Sequence, residues 1–394
     1  MPESIKAFVG LQVTYYDDAK QELLATCLLP LVFQAQAMDG VNAAWIQSHW
    51  RLGPHSTLYI HGEAGVLAKL VPRLAGSISL FLDCHPSRRA IDPAQYEVLS
   101  KELGRLELTE PPYLPLEPDN SLRIIHEEPV DTFLRSRSAI ELKGRIIGDG
   151  LRNVLTADHS ILDGGHAFSS AFRGMAALAV SYPQWGLVSG YQAFLSHWKE
   201  YFYWADADGQ LQRVLEGSFR EQESDLSSVL QMASDLQPGE LSGDPVLDGW
   251  LSWVRGSLPR AMELAATGDI LPYPHPDRLT QARKFGDATA VQWSGSDDRN
   301  YSDFHRAFRK LDFTKLGNGT DFAAYRFLIN NFFELLPVMG ITPLQRYSLA
   351  YFFSTAAQLV VGETWETTVA RSIERQQRAS PDVRPTLPWV GSNA

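Results

Sequence analysis

The C-terminal third of the chain carries the pattern that most restricts its fold, because it holds two long apolar segments with helical spacing. In the first segment, residues 321–340, large apolar side chains recur three or four positions apart, as on one face of a helix. The members of this set are Phe322, Tyr325, Ile329, Phe332, Phe333 and Leu336. The spacing predicts a helix that buries one face, and therefore a helical core in this part of the chain.

The junction between the two segments carries the signals of one helix end and a new helix start. Gly340 is a stop signal for the first helix. Thr342 has the properties of an N-cap, Pro343 of a first helical residue and Gln345 of the partner in a capping box. The second helix covers the run PLQRYSLAYFFSTAAQLVV, and the short connection predicts that the two helices pack antiparallel.

The N-terminal part of the chain is rich in β-branched and aromatic residues in alternation, which predicts strands. Residues 6–16 form the first expected strand and residues 43–62 a hairpin, followed by a helix over residues 63–75 and a strand at SISLFLD. On the second hairpin strand His55, Thr57, Tyr59 and His61 share one face, because residues two apart on a strand point the same way. That face either lines an active site or is the solvated side of a half-buried hairpin.

These patterns together predict an α+β fold with a mixed β-sheet, an N-terminal hairpin region and a helical C-terminal half. We expect residues 1–370 to form a single catalytic unit, sheet-rich over about residues 1–125 and mainly helical over residues 126–370. The polar, arginine-rich residues 371–394 are expected to form a flexible tail.

The composition limits the classes of partner that the protein has. The formal net charge of −11 disfavours broad binding to nucleic acid or to an anionic membrane. The cysteines are Cys27 and Cys84, and no Cys/His ligand spacing or phosphate-binding glycine motif occurs, so we expect neither a metal nor a cofactor. The N-terminus lacks a signal-peptide pattern and no run of about 18 apolar residues predicts a membrane span. We therefore expect a cytoplasmic protein.

A histidine in the run YSDFHR is the first candidate for proton-transfer chemistry. Imidazole titrates near neutral pH, so His305 is a candidate general acid or base, with Tyr301 and Ser302 close to it in sequence. The alternative interpretation is a short helix that Ser302 caps, with Asp303 at its positive end.

The run PLEPDNS is a second candidate, because its backbone is restrained. Asp119, Asn120 and Ser121 are typical turn residues. Glu117 lies between two prolines, which push the backbone towards extended conformations. Its carboxylate either points into a cleft or faces water.

The run ADHSILDGGH contains the HxxxDG pattern of acyltransferases that use coenzyme A or a carrier protein. In that chemistry His159 is the general base, and Asp163 is structural and pairs with an arginine. The pattern requires a strand at RNVLTA and a helix after Gly165. The alternative interpretation is that Gly164 and Gly165 end a helix and that His159 is solvated.

The order and spacing of five segments resemble a known family. The segments are YYDD, WIQSHWRLGPH, YLPLEPDNS, SDFHR and YRFLINNFFELLPVMGITPLQRYSLAYF. They resemble the C-terminal, elimination-type domain of lantibiotic dehydratases and, more closely, its stand-alone relatives, the thiopeptide cyclases or pyridine synthases. His305, preceded by Ser302, matches the histidine of the family's Ser-x-x-His run.

The resemblance implies a ribosomally made, dehydrated precursor peptide with a leader as substrate, and companion modification enzymes as further partners. In the cyclases two dehydroalanines join in a formal aza-cycloaddition, and loss of water and of the leader leaves a pyridine in a macrocycle. In the elimination domains hairpin arginines bind a glutamate that leaves. This hairpin reads His55-Ser56-Thr57-Leu58-Tyr59 and lacks those arginines, which favours the cyclase.

The candidate catalytic residues are His305, Ser302, Tyr301, Glu117, Tyr59 and His55, and the candidate substrate-binding residues are His49, Arg51, His61, Asn120 and Ser121. An aza-cycloaddition needs one amide as its iminol, so a donor must hold the amide oxygen and a base must take the N–H proton. Neutral hydroxyl and imidazole groups suit that task. Glutamate elimination, acyl transfer at His159 and non-catalytic peptide binding remain open as other functions.

Overall fold

A computed structural model of the chain describes residues 5–17, 20–129, 134, 136–155, 160–237, 239–271, 277–294, 299–312 and 319–379. The predicted α+β class is confirmed, with the strands in the N-terminal third and helices through the rest. The chain divides into two compact units. Unit 1 comprises Met1–Leu162, Asp277–Trp293 and Pro337–Met339, and unit 2 comprises Asp163–Pro276, Ser294–Leu336 and Gly340–Ala394. The prediction of one catalytic unit over residues 1–370 stays a prediction.

Unit 1 contains a four-stranded sheet. Its strands are β1 (Lys6–Thr14), β2 (Val41–His49), β3 (His55–Glu63) and β4 (Ser121–Ile125), in the order β2-β3-β1-β4. The predicted mixed sheet is wrong in this respect, because every pairing of these strands is antiparallel. The helical connection between β1 and β2 makes those two strands run the same way, but β3 lies between them and is antiparallel to both.

The described residues form sixteen α-helices. The first ten are α1 (Lys20–Glu22), α2 (Leu29–Gln36), α3 (Ala64–Cys84), α4 (Pro93–Glu107), α5 (Arg137–Gly150), α6 (Gly164–Val180), α7 (Leu187–Gly190), α8 (Gln192–Ala205), α9 (Gln210–Asp235) and α10 (Pro245–Ala266). The remaining six are α11 (Asp277–Arg283), α12 (Asp287–Trp293), α13 (Asp303–Phe308), α14 (Gly319–Leu335), α15 (Pro343–Val361) and α16 (Trp365–Ala379). Single π- or 3₁₀-helical segments occur at Leu23–Leu28, Leu151–Val154 and Leu336–Met339.

Helix α3 replaces the predicted helix and strand at residues 63–83. The strand at SISLFLD is wrong because Leu74, Ile78 and Phe81 continue the buried helical stripe that begins at Leu67 and Leu70. This stripe packs against β1, β3 and β4. By length and composition α3 is the one helix of the described residues that is long and apolar enough to cross a membrane. Because α3 packs on the sheet, it is a core helix of unit 1.

Helices of unit 2 bury an aromatic core, and its C-terminal helices follow the sequence pattern closely. The capping box is confirmed: the Thr342 side chain accepts from the Gln345 backbone N–H, and the Gln345 side chain accepts from the Thr342 backbone. Gly340 has a positive φ of 73°, as a helix stop requires. The main partners of the two helices differ from the prediction, because α14 packs chiefly on α10 while α15 packs on α8 and α9.

The predicted tail begins too early. Residues 371–379 continue α16, where Thr368 and Gln376 are buried. Residues 380–394, the rest of the predicted tail, lie outside the described residues.

Candidate functional site

Helix α13 carries His305, and the residue before the helix fixes its ring. Ser302 has extended backbone at the N-cap position, and its Oγ accepts a hydrogen bond from the His305 backbone N–H at 3.4 Å. The same Oγ lies 2.7 Å from Nδ1 of the His305 ring. Ser302 is buried, with 5% of its surface exposed. The predicted cap is confirmed, and the cap residue also binds the candidate base.

The second ring nitrogen of His305 meets another serine. Nε2 lies 2.9 Å from Oγ of Ser196, which belongs to α8. A neutral imidazole has one N–H and one acceptor nitrogen, so it donates to one of these hydroxyls and accepts from the other. His305 is therefore held between two hydroxyl groups, one at each ring nitrogen.

A carboxylate lies one helical turn beyond Ser196 on α8. Glu200 Oε2 is 3.5 Å from His305 Nδ1, whereas Oε1 accepts from the Arg299 guanidinium and, at 3.1 Å, from the Trp204 indole N–H. Oε2 is buried and has no hydrogen-bond partner among the residues that the structure describes. We define Ser196, Glu200, Arg299, Ser302 and His305 as the histidine cluster.

The histidine cluster favours a neutral imidazole. Burial, and to a smaller extent the positive charge of Arg299, lower the pKa of His305 from 6.5 to about 4. The Glu200 carboxylate does not offset this effect, because Arg299 binds the same carboxylate. A neutral ring accepts a proton at one nitrogen while it gives one from the other, which suits proton transfer without a charged intermediate.

Tyr301 lies beside the histidine cluster through Arg299. Its ring is contacted by two guanidinium groups, with Cζ of Arg299 at 4.8 Å and Cζ of Arg309 at 4.1 Å from the ring centre. Its hydroxyl donates to the Ser294 carbonyl oxygen at 3.3 Å. Tyr301 is thus held in place with its hydroxyl on a backbone group, and its predicted catalytic role stays a prediction.

The sheet of unit 1 presents a second group of polar residues, which the strand register brings together. On β3, His55 lies opposite Thr14 and His49, and Thr57 lies opposite Gln12 and Gln47. Strand β4 adds Ser121 opposite Thr14 and Arg123 opposite Gln12. We define the polar sheet face as Gln12, Thr14, Gln47, His49, His55, Thr57, Tyr59, Ser121 and Arg123.

The polar sheet face is partly buried. Thr14 and Thr57 are buried, at 2% and 3% exposure, and His55 and Tyr59 are half-buried. Arg123 donates to the Gln12 side-chain oxygen at 3.0 Å. The middle of this face is therefore buried, whereas Arg123 is exposed at its edge. The role of the face as a wall of a substrate cleft stays a prediction.

Two imidazoles stack on the polar sheet face with opposite hydrogen-bond patterns. The rings of His49 and His55 have centroids 5.8 Å apart. His49 Nδ1 accepts from the Arg51 backbone N–H at 2.9 Å, so Nε2 carries the proton of the neutral ring. His55 Nδ1 lies 2.9 Å from the Gly53 carbonyl oxygen and donates to it, which leaves its Nε2 as an acceptor.

Both rings stay neutral near pH 7. Burial lowers the pKa of His49 to about 4, with the charges of His55 and Arg51 as smaller causes. Burial also lowers the pKa of His55, and Lys20 and Arg123 lower it further, against a hydrogen bond to Gly53 that raises it. One ring therefore offers a donor and its neighbour an acceptor.

The remaining hairpin candidates differ in accessibility. Tyr59 stacks on Trp45 with ring centroids 5.2 Å apart, and burial raises the pKa of its hydroxyl, which stays protonated. His61 has no exposed surface, stacks on Phe8 and lies with Nε2 3.2 Å from Glu141 Oε1. This burial argues against the predicted contact between His61 and substrate. Burial also lowers the pKa of His61 to about 4.

The Pro-Glu loop uses two of its predicted binding residues to hold itself. Asn120 accepts from the Ser87 N–H at 2.6 Å and donates to the Ser87 carbonyl at 3.0 Å. Ser121 Oγ donates to the Pro118 carbonyl at 2.5 Å. These hydrogen bonds hold the loop that carries Glu117. Binding of substrate by Asn120 and Ser121 stays a prediction.

The carboxylate of Glu117 faces a cation. Its Oε1 lies 3.8 Å from Nη1 of Arg123, and the Tyr16 hydroxyl donates to the Glu117 carbonyl at 2.5 Å. Arg51, the other predicted binding residue near this loop, donates through Nε to the Pro112 carbonyl at 3.3 Å. Glu117 therefore contacts the polar sheet face through Arg123.

The acyltransferase pattern receives little support. His159 lies outside the described residues. Asp163 is 89% exposed at its side chain and its neighbour is His166, at 3.9 Å, where the pattern requires an arginine. Of the predicted strand at RNVLTA, residues 152–154 lie in the 3₁₀ segment that follows α5, and Leu155 forms a single antiparallel bridge to Ile161. Residues 156 and 157 lie outside the described residues. Gly164 and Gly165 begin α6 rather than end a helix.

Within the described ranges no group of three histidine, cysteine, aspartate or glutamate side chains could hold a metal ion. Sequence reasoning missed Ser196, Glu200 and Arg299 in the histidine cluster. A signal was present, since Ser196, Glu200 and Trp204 recur every four residues on one face of α8. This recurrence indicates a site only once α13 is known to pack on that face of α8.

Comparison with solved structures places the fold among known proteins. The chain is similar to "Pyridine synthase, TbtD, from thiomuracin biosynthesis", with a TM-score of 0.68, 20% identity, and coverage of 90% of this chain and 99% of that chain. It is also similar to TsrL, with a TM-score of 0.59, 16% identity, and coverage of 94% and 99% of the two chains. No protein-family model and no curated protein matches the sequence. The resemblance to thiopeptide cyclases that the sequence indicates is confirmed at the level of the fold.

Proposed function

We propose that this protein modifies a ribosomally made, dehydrated precursor peptide, as a cyclase that joins two dehydroalanines in a formal aza-cycloaddition. The observation that carries the proposal is the fold shared with a pyridine synthase over 90% of the chain. The histidine cluster and the polar sheet face supply neutral proton donors and acceptors of the kind that this reaction needs.

The first step moves one proton and forms one ring. An amide next to a dehydroalanine becomes its iminol when its N–H proton is transferred to its carbonyl oxygen. The two terminal carbons of the resulting azadiene form two carbon–carbon bonds with the double bond of the second dehydroalanine. Three double bonds are consumed, and one carbon–nitrogen double bond forms in the new ring. No oxidant is required, because electrons are only redistributed.

Two eliminations then make the ring aromatic. The hydroxyl on the former carbonyl carbon leaves as water with a proton from the ring. The nitrogen that joined the leader to the ring next leaves with the leader as a terminal amide, and a ring proton is lost with it. Each elimination needs an acid for the leaving group and a base for the proton.

The histidine cluster suits the transfer from nitrogen to oxygen. His305 contacts a hydroxyl at each ring nitrogen, through Ser302 at 2.7 Å and Ser196 at 2.9 Å. A proton that enters at one nitrogen leaves from the other, so the ring changes tautomer and stays neutral. The low pKa of His305, about 4, disfavours a stable imidazolium and favours this concerted route.

The polar sheet face is proposed to hold the peptide. His49, His55 and Tyr59 offer donors and acceptors that stay neutral near pH 7, which suits amide groups. Fixing two distant dehydroalanines near each other removes much of the entropic barrier to ring closure.

Glutamate elimination is less well supported. A leaving carboxylate needs a free guanidinium fork. The polar sheet face includes the Arg123 guanidinium, but Gln12 and Glu117 already contact it at 3.0 and 3.8 Å. The site therefore favours amide chemistry over carboxylate release.

Variants of two histidines in unit 2 test the proposal. The substrate is the dehydrated form of a Ser-, Thr- and Cys-rich precursor, which we expect to be encoded beside this gene. His305→Ala should lower turnover by about 10²- to 10⁴-fold. His166→Ala, at a ring 85% exposed on α6, should leave turnover unchanged. Equal turnover of a folded His305→Ala protein and the wild type would remove His305 from the reaction.

A further inference from the structure

A second imidazole lies next to the histidine cluster, and the proposed transfer from nitrogen to oxygen does not use it. His197 follows Ser196 on α8 and is half-buried. Its ring meets the ring of Phe333 on α14 edge to face, with the centroids 4.5 Å apart. The charge of His305 is one of the causes that lower the pKa of His197, so the two rings share one electrostatic environment.

The ring nitrogens of His197 are open, whereas those of His305 are occupied. Each ring nitrogen of His305 contacts a serine hydroxyl. His197 makes no hydrogen bond with any residue that the structure describes, and neither of its nitrogens belongs to the buried atoms without a partner. Both nitrogens of His197 are therefore accessible, and a bound substrate can contact them directly.

Arg346, in the first turn of α15, packs on the same phenylalanine. Its Cζ lies 5.3 Å from the centre of the Phe333 ring and 5.1 Å from the centre of the Tyr347 ring. Within the described part of the chain, the guanidinium has one hydrogen bond, from Nη2 to the Tyr347 hydroxyl at 3.4 Å, and no carboxylate partner. Nη1 is not among the buried atoms that lack a partner, so its N–H groups are accessible to a ligand.

Aromatic packing holds the imidazole and the guanidinium in place. Tyr347 stacks on Tyr201 with ring centroids 4.0 Å apart and ring planes inclined by 7°. Tyr201 lies one turn after His197 on α8, so this stack joins the helix of the imidazole to the helix of the guanidinium. We define His197 and Arg346 as the open pair.

The open pair combines a fixed positive charge with a neutral ring. Burial lowers the pKa of His197 to about 3, and the charges of Arg346, Arg326 and His305 are smaller causes. Near pH 7 the ring is therefore neutral, with one N–H donor and one acceptor nitrogen. A group that becomes negative during a reaction is stabilised next to such a charge, and most strongly where water is partly excluded.

We propose that the open pair carries out the last step of the proposed reaction, the release of the leader as its terminal amide. Arg346 donates from Nη1 to the carbonyl oxygen of the leaving amide, and His197 contacts the two protons that move. The inference rests on the proposed function, because it assigns residues to one of the two eliminations.

The leaving group distinguishes this step from the others. An amide nitrogen leaves poorly, because negative charge accumulates on the nitrogen and, by resonance, on the carbonyl oxygen as the carbon–nitrogen bond breaks. Proton transfer within one amide separates no such charge, and water leaves once its oxygen is protonated. A guanidinium is therefore of most use in the release of the leader.

Atoms and electrons balance in this step without an oxidant. A ring C–H bond breaks, its proton enters the acceptor nitrogen of His197, and its electron pair forms a ring double bond. The bond between the ring carbon and the amide nitrogen breaks, and that electron pair stays on the nitrogen. The N–H on the opposite side of the imidazole supplies the proton that completes the terminal amide, so His197 changes tautomer and stays neutral.

Variants of the open pair should stop the reaction at a defined intermediate. His197→Phe keeps an aromatic ring against Phe333 and removes both nitrogens. With the dehydrated precursor, this variant should accumulate a species that is lighter by one water and still joined to its leader. Release of the leader should slow by about 10²- to 10⁴-fold. Arg346→Met should accumulate the same species, with release slowed by about 10²- to 10³-fold. Mass spectrometry over time measures both.

Two further arginine variants serve as controls. Arg346→Lys keeps the positive charge and should keep part of the release rate, which separates loss of charge from misfolding. Arg378→Met removes a guanidinium on α16 that is 82% exposed and 3.7 Å from Glu374, and it should release the leader at the wild-type rate. Thermal unfolding shows whether each variant is folded.

Release at the wild-type rate by folded His197→Phe or Arg346→Met would overturn the assignment. Loss of all conversion without the intermediate would overturn it too, because the residue would then act before the ring forms. Both results leave the proposed function in place, since the wild type still makes the pyridine. A wild type that forms no ring would instead contradict the proposed function, and this step with it.

Discussion

The hydroxyl of Ser302 joins the backbone of α13 to the ring of His305: its Oγ lies 3.4 Å from the backbone nitrogen and 2.7 Å from Nδ1 of the same residue. One side chain thus begins the helix and orients the imidazole that the helix carries. Structural and chemical roles are combined at this position, and they are separable by substitution.

Ser302→Ala should therefore cost both stability and activity. Loss of the cap should lower the free energy of unfolding by about 1 kcal/mol. Loss of the Nδ1 contact should lower turnover, since the ring is no longer held. Urea unfolding and turnover measure the two effects, and Ser302→Asp is the matched control, because it restores the cap without the hydroxyl. Wild-type turnover in both variants would contradict the role of the hydroxyl.

The pH dependence of turnover should reflect the buried ring. Burial and Arg299 lower the pKa of His305 to about 4, so the neutral form persists as the pH falls through 6.5. We expect turnover to fall only near pH 4 to 5. Arg299→Leu removes a positive charge and frees the Glu200 carboxylate, and both changes raise the pKa of His305. The acidic limb should then move to higher pH, and a limb that stays in place would contradict the arrangement.

Stability should fall in acid for a related reason. The pKa of His305, His49 and His61 is about 4, and that of His197 about 3, against 6.5 in the unfolded chain. Between these values the unfolded chain binds more protons than the folded protein, so the stability from these rings is complete above pH 6.5 and is lost as the pH falls towards 4. Urea unfolding from pH 7.5 to 4.5 measures this, and a flat profile would contradict the buried neutral rings.

The hairpin has its own test. The double variant His55→Ala and Tyr59→Phe removes one imidazole and one hydroxyl, while the phenyl ring keeps the stack on Trp45 at 5.2 Å. We expect a folded protein with reduced turnover. If the folded double variant turns over at the wild-type rate, the polar sheet face has no part in the reaction.

Two glycines with different surroundings should respond in opposite ways to substitution by alanine. A Cβ at Gly148 would clash with the Ala44 carbonyl oxygen, so Gly148→Ala should destabilise unit 1 by about 1–3 kcal/mol. A Cβ at Gly76 in α3 meets nothing within 4 Å, so Gly76→Ala should stabilise by about 0.4–1 kcal/mol. Thermal unfolding of both variants checks how α5 is positioned on β2. Similar unfolding midpoints for Gly148→Ala and Gly76→Ala would contradict this positioning.

Local signals in the sequence were sufficient where short-range contacts decide the structure. The capping box at Thr342 and the cap at Ser302 each depend on residues three positions apart, and both were predictable. The helix α3 was not, because its β-favouring residues 77–83 are overridden by packing on a sheet that forms elsewhere in the chain.

The candidate site was only partly predictable for the same reason. His305 and Ser302 lie close in sequence, but Ser196 is 109 positions from His305 and only tertiary packing brings it to Nε2. Arg123 reaches the polar sheet face through the register of β4 with β1, and an alternating pattern does not determine such a register.

The most direct measurement is the mass of the product that the purified protein makes from its dehydrated precursor. The account predicts a core peptide lighter by one water and by the leader, which is released as its terminal amide, together with a new ultraviolet absorbance from the pyridine. A precursor of unchanged mass, or one that loses only glutamate, would contradict it.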